Sequence, residues 1–366
     1  MQQIFNAHQI FTGTDWLIRH SIVVEDNTIV AVVPTTTIDQ SPHQLIDPIT
    51  NKIRTYQTLV PAFIDIQIYG AEGKLFATNP NADALFKLAQ HCKRSGTLHF
   101  MPTVATNSYE VFYQCIDAVR DYWQQGGKGC LGLHLEGPWI NPIKRGAHIE
   151  SFIHAPTVEE VKAVLDYGKD VIKIITIAPE ICSDAVIELI LSHNIIISAG
   201  HSNATYQQAM QSFDKGIHSV THLYNAMSPL QHREPGLVGA TFNHRKVMAS
   251  IIPDGHHVDF AAVKIARQIM QERLFVITDA VTETADGLYP HHLAGDKYES
   301  NGILSGSALT MMQAVKNLIQ YCGVAMDEAL RMCSLYPAQV LDLNNLGKIE
   351  KGYKASFIEL ERLEEK

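Results

Sequence analysis

The sequence predicts an α/β protein, a (β/α)8 TIM-like barrel with a small β-sandwich domain built from the N- and C-terminal segments. Three observations point there. Eight apolar, β-branched runs alternate with helix-patterned stretches through the middle of the chain. The runs are nearly continuous in hydrophobicity, as parallel strands buried on both faces must be. Finally, residues able to do chemistry recur at the C-terminal ends of these runs, the rim where such barrels gather reactive groups. Alternation alone also fits an open doubly wound sheet; the placement of the polar residues favours the barrel.

Residues 1–57 read as short strands, with "SIVVEDNTIVAVVP" as two β-rich runs around the turn-forming pair Asp26 and Asn27. Residues 58–340 are assigned to the barrel. Its strands are expected in "LVPAFIDIQIYG", "TLHFMPTVAT", "CLGLHLEGPWI", "VIKIITIAPE", "IIISAGHS", "GIHSVTHLYNAM", "KVMASIIPDGHHV" and "RLFVITDAVT". Amphipathic stretches such as "NADALFKLAQHCKRSG" and "SDAVIELILSHN" separate most of them. The segment "DGLYPHHLAGDKYESNGILSGS" interrupts the last connection and reads as a hairpin over the site. Residues 341–366 turn β-patterned again and are expected to rejoin the N-terminal strands.

The chain has 366 residues, 46% hydrophobic and 18% charged, ample for a large core. No run approaches the ~20 apolar residues of a membrane helix. The N-terminal "MQQIFNAHQIFTGTDW" has neither a basic region nor an unbroken apolar run, so no signal peptide is expected. Six scattered cysteines without a CxxC pair read as reduced, mostly buried thiols of a cytoplasmic protein. A net charge of −9 with no basic run argues against nucleic acid or an anionic membrane as partner. A small anionic substrate would need a local basic pocket.

Asp65, Gln67 and Tyr69 fall on one face of the first strand, where polar groups are costly unless they have partners or work. Glu136, His201, His222, His257 and Asp279 each stand at or just past the end of a different later strand. One carboxylate with two imidazoles, Glu136, His201 and His222, is a normal ligand set for a catalytic divalent ion that keeps a position open for water. Neighbouring Gly, Ser and Asn residues allow close backbone approach. Asp279 is either a fourth ligand or a base for the water, with a helix N-cap as the plain alternative. His134 and His218, on the inward parity but nearer mid-strand, read as structural.

The strings "HLEGPWINPIKRGAH", "AGHSNATY", "THLYNAM", "REPGLVGA", "DGHHVD", "VITDA" and "LSGSALTM" resemble those of N-acetylglucosamine-6-phosphate deacetylases of the amidohydrolase superfamily. The likeness runs from about Leu59 to Ala338; the tail departs from it at "KASFIEL", and Ala62 stands where Gly is commoner. The resemblance implies that Glu136, His201 and His222 hold one divalent ion per chain, Zn2+ before Fe2+, Co2+ or Mn2+, and that Asp279 is the acid and base. It implies substrate contacts from Ala147 and His148, from Asn225 and Ala226, from Arg233 to the phosphate, from Asp254, Gly255, His256 and His257, and from Leu304, Ser305 and Gly306. It further implies a homodimer, with the partner chain lending a phosphate contact. Many amidohydrolases hold a second metal through His-x-His on the first strand; Gln67 and Tyr69 stand there instead, so one ion is expected.

The expected activity is therefore hydrolysis of the acetamide of N-acetylglucosamine 6-phosphate. Two alternatives stay open: an amidohydrolase for another N-acetyl amino sugar or a cyclic amide, and an inactive barrel serving as a scaffold. Retention of Glu136, His201, His222 and Asp279 together weighs against the scaffold.

Overall fold

The computed structural model describes residues 2–38, 54–285, 287–300 and 302–360. The chain forms two compact units, one from Met1–Ile64 with Val324–Lys366 and one from Asp65–Gly323. Among the described residues no helix is long and apolar enough to cross a membrane.

The chain begins with β1 (Gln2–Phe11), β2 (Trp16–Glu25) and β3 (Thr28–Pro34), followed by β4 (Thr55–Pro61). Asp26 and Asn27 both take positive φ, 46° and 64°. That is the backbone a tight two-residue hairpin turn needs, and Asp and Asn tolerate it best after Gly.

The larger unit is built on eight parallel strands that follow one another in sequence. Its elements are β5 (Phe63–Ile68), the short pair β6 (Gly70–Ala71) and β7 (Lys74–Leu75), α1 (Ala82–Arg94), β8 (Thr97–Ala105), α2 (Tyr109–Gln124) and β9 (Leu133–Glu136). Then come α3 (Val158–Gly168), β10 (Ile172–Ile177), α4 (Asp184–Ser192), β11 (Ile196–Ala199), α5 (Tyr206–Asp214) and β12 (Ser219–Val220). The last strands are separated by α6 (Gly236–Asn243), β13 (Met248–Ile251) and α7 (Phe260–Met270), and end in β14 (Leu274–Val276). The sheet runs β5-β8-β9-β10-β11-β12-β13-β14. Its two edges meet: Asp279 N donates to Gln67 O at 3.0 Å and Tyr69 N to Ala280 O at 2.9 Å, so the barrel is closed.

The helices start where their sequences cap them. Asn81 accepts from Ala84 N before α1 and Ser183 from Val186 N before α4, each cap contributing about 1 kcal/mol. All six residues of β5 are buried, Asp65 and Gln67 included. Asp65 is paid back in hydrogen bonds from Thr278 Oγ1 (2.5 Å), Thr278 N and Gln67 N (both 3.3 Å).

The insertion after β14 forms three antiparallel strands rather than a two-stranded hairpin: β15 (His292–Ala294), β16 (Lys297–Ser300) and β17 (Ile303–Ser307). Residues 286 and 301 of it lie outside the described residues. Helix α8 (Met311–Gln320) follows. The chain then gives α9 (Met326–Cys333), α10 (Leu335–Val340) and β18 (Phe357–Glu359), which belong to the smaller unit. There β18 pairs antiparallel with β4 in a five-stranded sheet of order β18-β4-β1-β2-β3. Residues 361–366 of the β-patterned tail lie outside the described residues. Ala7, Ile10, Ile22, Val24, Ile29, Leu59 and Ile349 form the core of this unit.

Cys92, Cys115, Cys130, Cys322 and Cys333 are free and buried and Cys182 is free and half-buried, as expected. A further expectation changes. His218 does not point inward; it is exposed on the residue before β12, because regular pairing there is confined to Ser219 and Val220.

Candidate active site

The strand ends bring Glu136, His201, His222 and Asp279 into one cavity of about 210 Å3. Glu136 is the last residue of β9, and the others stand two or three residues past β11, β12 and β14. His201, His222 and Asp279 all have positive φ, 47°, 35° and 54°. For residues other than Gly this costs about 1–3 kcal/mol each, and such strain collects at functional sites. The close backbone approach predicted beside them is present at Gly200, where a Cβ would meet Thr176 and Thr221 side chains at 2.7 and 2.9 Å.

Neighbouring groups fix each side chain. His201 donates from Nδ1 to Lys144 O at 2.9 Å, so its Nε2 carries the lone pair. The loop carrying it is held by Glu180, whose carboxylate accepts from Ser202 Oγ, Asn203 N and Asn141 Nδ2. His222 N donates to Ser250 Oγ at 2.7 Å, while its Nδ1 is buried without a hydrogen-bond partner. His222 Nε2 lies 3.1 Å from both Glu136 Oε1 and His201 Nε2, and His201 Nε2 lies 3.4 Å from the same oxygen.

Three electron-rich atoms this close repel one another unless a proton or cation stands among them. Donors 2.0–2.1 Å from a tetrahedral ion are about 3.3 Å apart, which these separations match. The residues therefore fit a divalent cation. Glu136, His148 and His201 also have donor atoms within 4.8 Å of one another. His148 Nε2, however, faces the other carboxylate oxygen, Oε2, at 3.2 Å. His222 shares Oε1 with His201 and is the better third donor.

The two carboxyl groups are pushed apart. Burial would raise Glu136, but His148, His201 and His222 outweigh it and hold the group well below the usual carboxylate range. Asp279 is raised, first by burial and then by the charge of Glu136, against the opposing pull of His222, His257 and His201. One is kept anionic and the other binds a proton more readily than usual, a division suited to a charged ligand and a proton carrier. His222 is raised because its hydrogen bond to Glu136 and that charge overcome burial, and burial drives His148 down to about 4.

The first-strand residues complete the centre. The Gln67 amide donates to Asp279 Oδ1 (2.7 Å) and Glu136 Oε1 (3.0 Å), and Tyr69 donates to Glu136 Oε2. His134 is a satisfied core residue, bonded to Ile66 O and Thr176 Oγ1. The cavity is also lined by Ala147, His148, Asn225, Ala226, His257, Leu304, Ser305 and Gly306. His257 is oriented by Asp254 Oδ2, 2.6 Å from its Nδ1. Arg233, Asp254, Gly255 and His256 do not line it. Arg233 is exposed, and His256 pairs instead with Asp296 in the turn before β16, at 2.7 Å.

Tyr289 and His291, which line the cavity, and Thr106 escape the sequence reading. Tyr289 donates to Thr106 O at 2.5 Å, and the buried His291 bonds Ser305 Oγ at 2.8 Å, both from the insertion. Thr106, just past β8, bonds His148 Nδ1 at 2.7 Å. The "YPHH" string was the available signal for the first two, an aromatic beside histidines in a segment already expected over the site.

A closed parallel barrel with this donor set at its C-terminal rim defines the class, a metal-dependent hydrolase of the amidohydrolase kind. The amidohydrolase family model matches residues 58–363, and the NagA composite domain matches residues 5–45. The chain belongs to the amidohydrolase family and, within it, to the N-acetylglucosamine-6-phosphate deacetylases. It is 33% identical to the N-acetylglucosamine-6-phosphate deacetylase of Haemophilus influenzae, over 95% of this chain and 92% of that one. It is 31% identical to the N-acetylgalactosamine-6-phosphate deacetylase of Escherichia coli O157:H7, over 99% and 96%. The crystal structure of N-acetylglucosamine-6-phosphate deacetylase from Pasteurella multocida superposes with a TM-score of 0.87 at 33% identity, covering 98% of this chain and 94% of that one.

Proposed function

We propose that this protein hydrolyses the acetamide of N-acetyl-D-glucosamine 6-phosphate to D-glucosamine 6-phosphate and acetate, with one divalent metal ion per chain, in amino-sugar catabolism. The observation that carries this reading is the convergence of Glu136 Oε1, His201 Nε2 and His222 Nε2 within 3.1–3.4 Å, beside a carboxyl group, Asp279, that is shifted toward proton binding.

Glu136, His201 and His222 hold the ion, Zn2+ ahead of Fe2+, Co2+ or Mn2+. When bound, it supplies Lewis acidity toward the acetyl carbonyl and toward water. Asp279 takes the proton of the attacking water at its carboxylate and delivers it to the departing amine, which cannot leave as an anion. His148, with Ala147, hydrogen-bonds the acetyl oxygen and the sugar. Asn225, Ala226, His257, Leu304, Ser305 and Gly306 form the sugar wall. Arg233 meets the phosphate, its planar fork suiting a dianion in an otherwise acidic protein, and Asp254, Gly255 and His256 complete that side. The working form is a cytoplasmic homodimer whose partner chain adds a phosphate contact; the free, mostly buried thiols suit a reducing compartment.

A second reading is favoured by the likeness to the galactosamine enzyme over 99% of the chain: the preferred sugar is the C4 epimer. Acetate release from the two 6-phosphates and from unphosphorylated N-acetylglucosamine, on protein stripped and reloaded with one equivalent of zinc, tests both. The larger kcat/KM on the glucosamine compound supports the first, and on the galactosamine compound the second. Release from neither overturns both.

A further inference from the structure

Glu136 divides its two oxygens between different neighbours. Oε1 faces His222 Nε2 and His201 Nε2 and accepts from Gln67 at 3.0 Å. Oε2 accepts from the Tyr69 hydroxyl, with His148 Nε2 3.2 Å away. A buried carboxylate with both oxygens open could bind a cation through either oxygen or through both. Here the choice is made by a phenol. Gln67 Nε2, which cannot accept a proton, lies 2.9 Å from the Tyr69 oxygen, so the only hydroxyl proton of Tyr69 is directed at Oε2.

We propose that Tyr69 is a positioning residue that occupies Glu136 Oε2, so that Oε1 alone is offered to a cation between His201 and His222. This rests on the reading of those three residues as metal ligands. Groups that hydrogen-bond a metal ligand typically account for 10–100-fold in metal affinity. The phenol is outside that reading, since neither the ligand set nor the acid–base role of Asp279 requires a tyrosine on the first strand.

The test is zinc affinity by chelator competition, and the visible spectrum of the cobalt-substituted protein, for the wild type, Tyr69→Phe and Glu136→Gln. Melting of metal-free Tyr69→Phe checks that the ring still packs. Tyr69→Phe is expected to bind zinc about 10–100-fold more weakly. Its cobalt bands are expected to lose intensity as the carboxylate binds through both oxygens and the coordination number rises. Unchanged affinity overturns the proposal. So does a fall in affinity with an unchanged spectrum, which would make Tyr69 a support of the wall rather than the selector of an oxygen. Glu136→Gln separates the two levels. If it leaves zinc binding intact, the ligand reading itself is wrong. If it weakens zinc while Tyr69→Phe does not, only the proposal falls.

Discussion

The side-chain amide of Gln67 reaches across the closing edge of the barrel and donates to Asp279 Oδ1 at 2.7 Å. It also touches Glu136, so it holds the two carboxyl groups in fixed relation. A hydrogen bond to a charged group contributes about 1.5–3 kcal/mol. Gln67→Ala is expected to retain its metal, measured by elemental analysis, and to lose roughly 10–100-fold in kcat by that bond's worth.

Asp279→Asn keeps the shape and removes the proton acceptor. Its kcat is expected to fall by about 10²–10⁴-fold, as for the loss of a placed general base. Metal content stays at one ion per chain, because Glu136, His201 and His222 are intact. Loss of metal together with activity would make Asp279 a ligand instead.

Arg233 is exposed and outside the cavity lining, so its role is open to a direct check. Arg233→Ala should lower kcat/KM for the 6-phosphate by the cost of a charge-assisted contact, about 2–5 kcal/mol. The slow reaction of the unphosphorylated sugar should not change. Equal losses on both compounds would remove Arg233 from the phosphate.

Asp65 offers a stability measurement independent of the reaction. Burial raises its pKa to about 7, against the lowering effect of hydrogen bonds from Thr278 and Gln67. The folded state therefore binds this proton more tightly than the unfolded state. Its contribution is fully present below the unfolded carboxylate value, near 4, and is lost as pH rises toward 7. Wild-type stability relative to Asp65→Asn should fall across that window, by at most about 4 kcal/mol. A difference that is flat from pH 4 to 8 in denaturant titrations would contradict this.

Much of the site could be read from the sequence because each strand delivers its reactive residue to the same rim. Glu136, His201, His222 and Asp279 needed only a strand pattern and a position at its end. The first strand was legible as an anomaly, with Asp65, Gln67 and Tyr69 on one face, but not as an arrangement. The partner of Asp65 is Thr278, 213 residues away, and no local pattern encodes that pairing. Tyr289 and His291 enter the cavity from an insertion whose own periodicity is weak, so only packing places them. His218 departs from strand parity because the regular part of its strand is only two residues long.

The closing edge has a kinetic meaning. Gln67 lies on the barrel's first strand and Asp279 three residues past its last, so the two meet only when the outermost staves join. That contact spans nearly the whole barrel sequence, and joining such distant segments is the slow kind of step in folding. During refolding with zinc present, turnover is expected to recover only in the phase that closes this seam, after the intervening helices have formed. The enzyme thus carries a built-in reporter of its own completion: an unfinished barrel is a silent one.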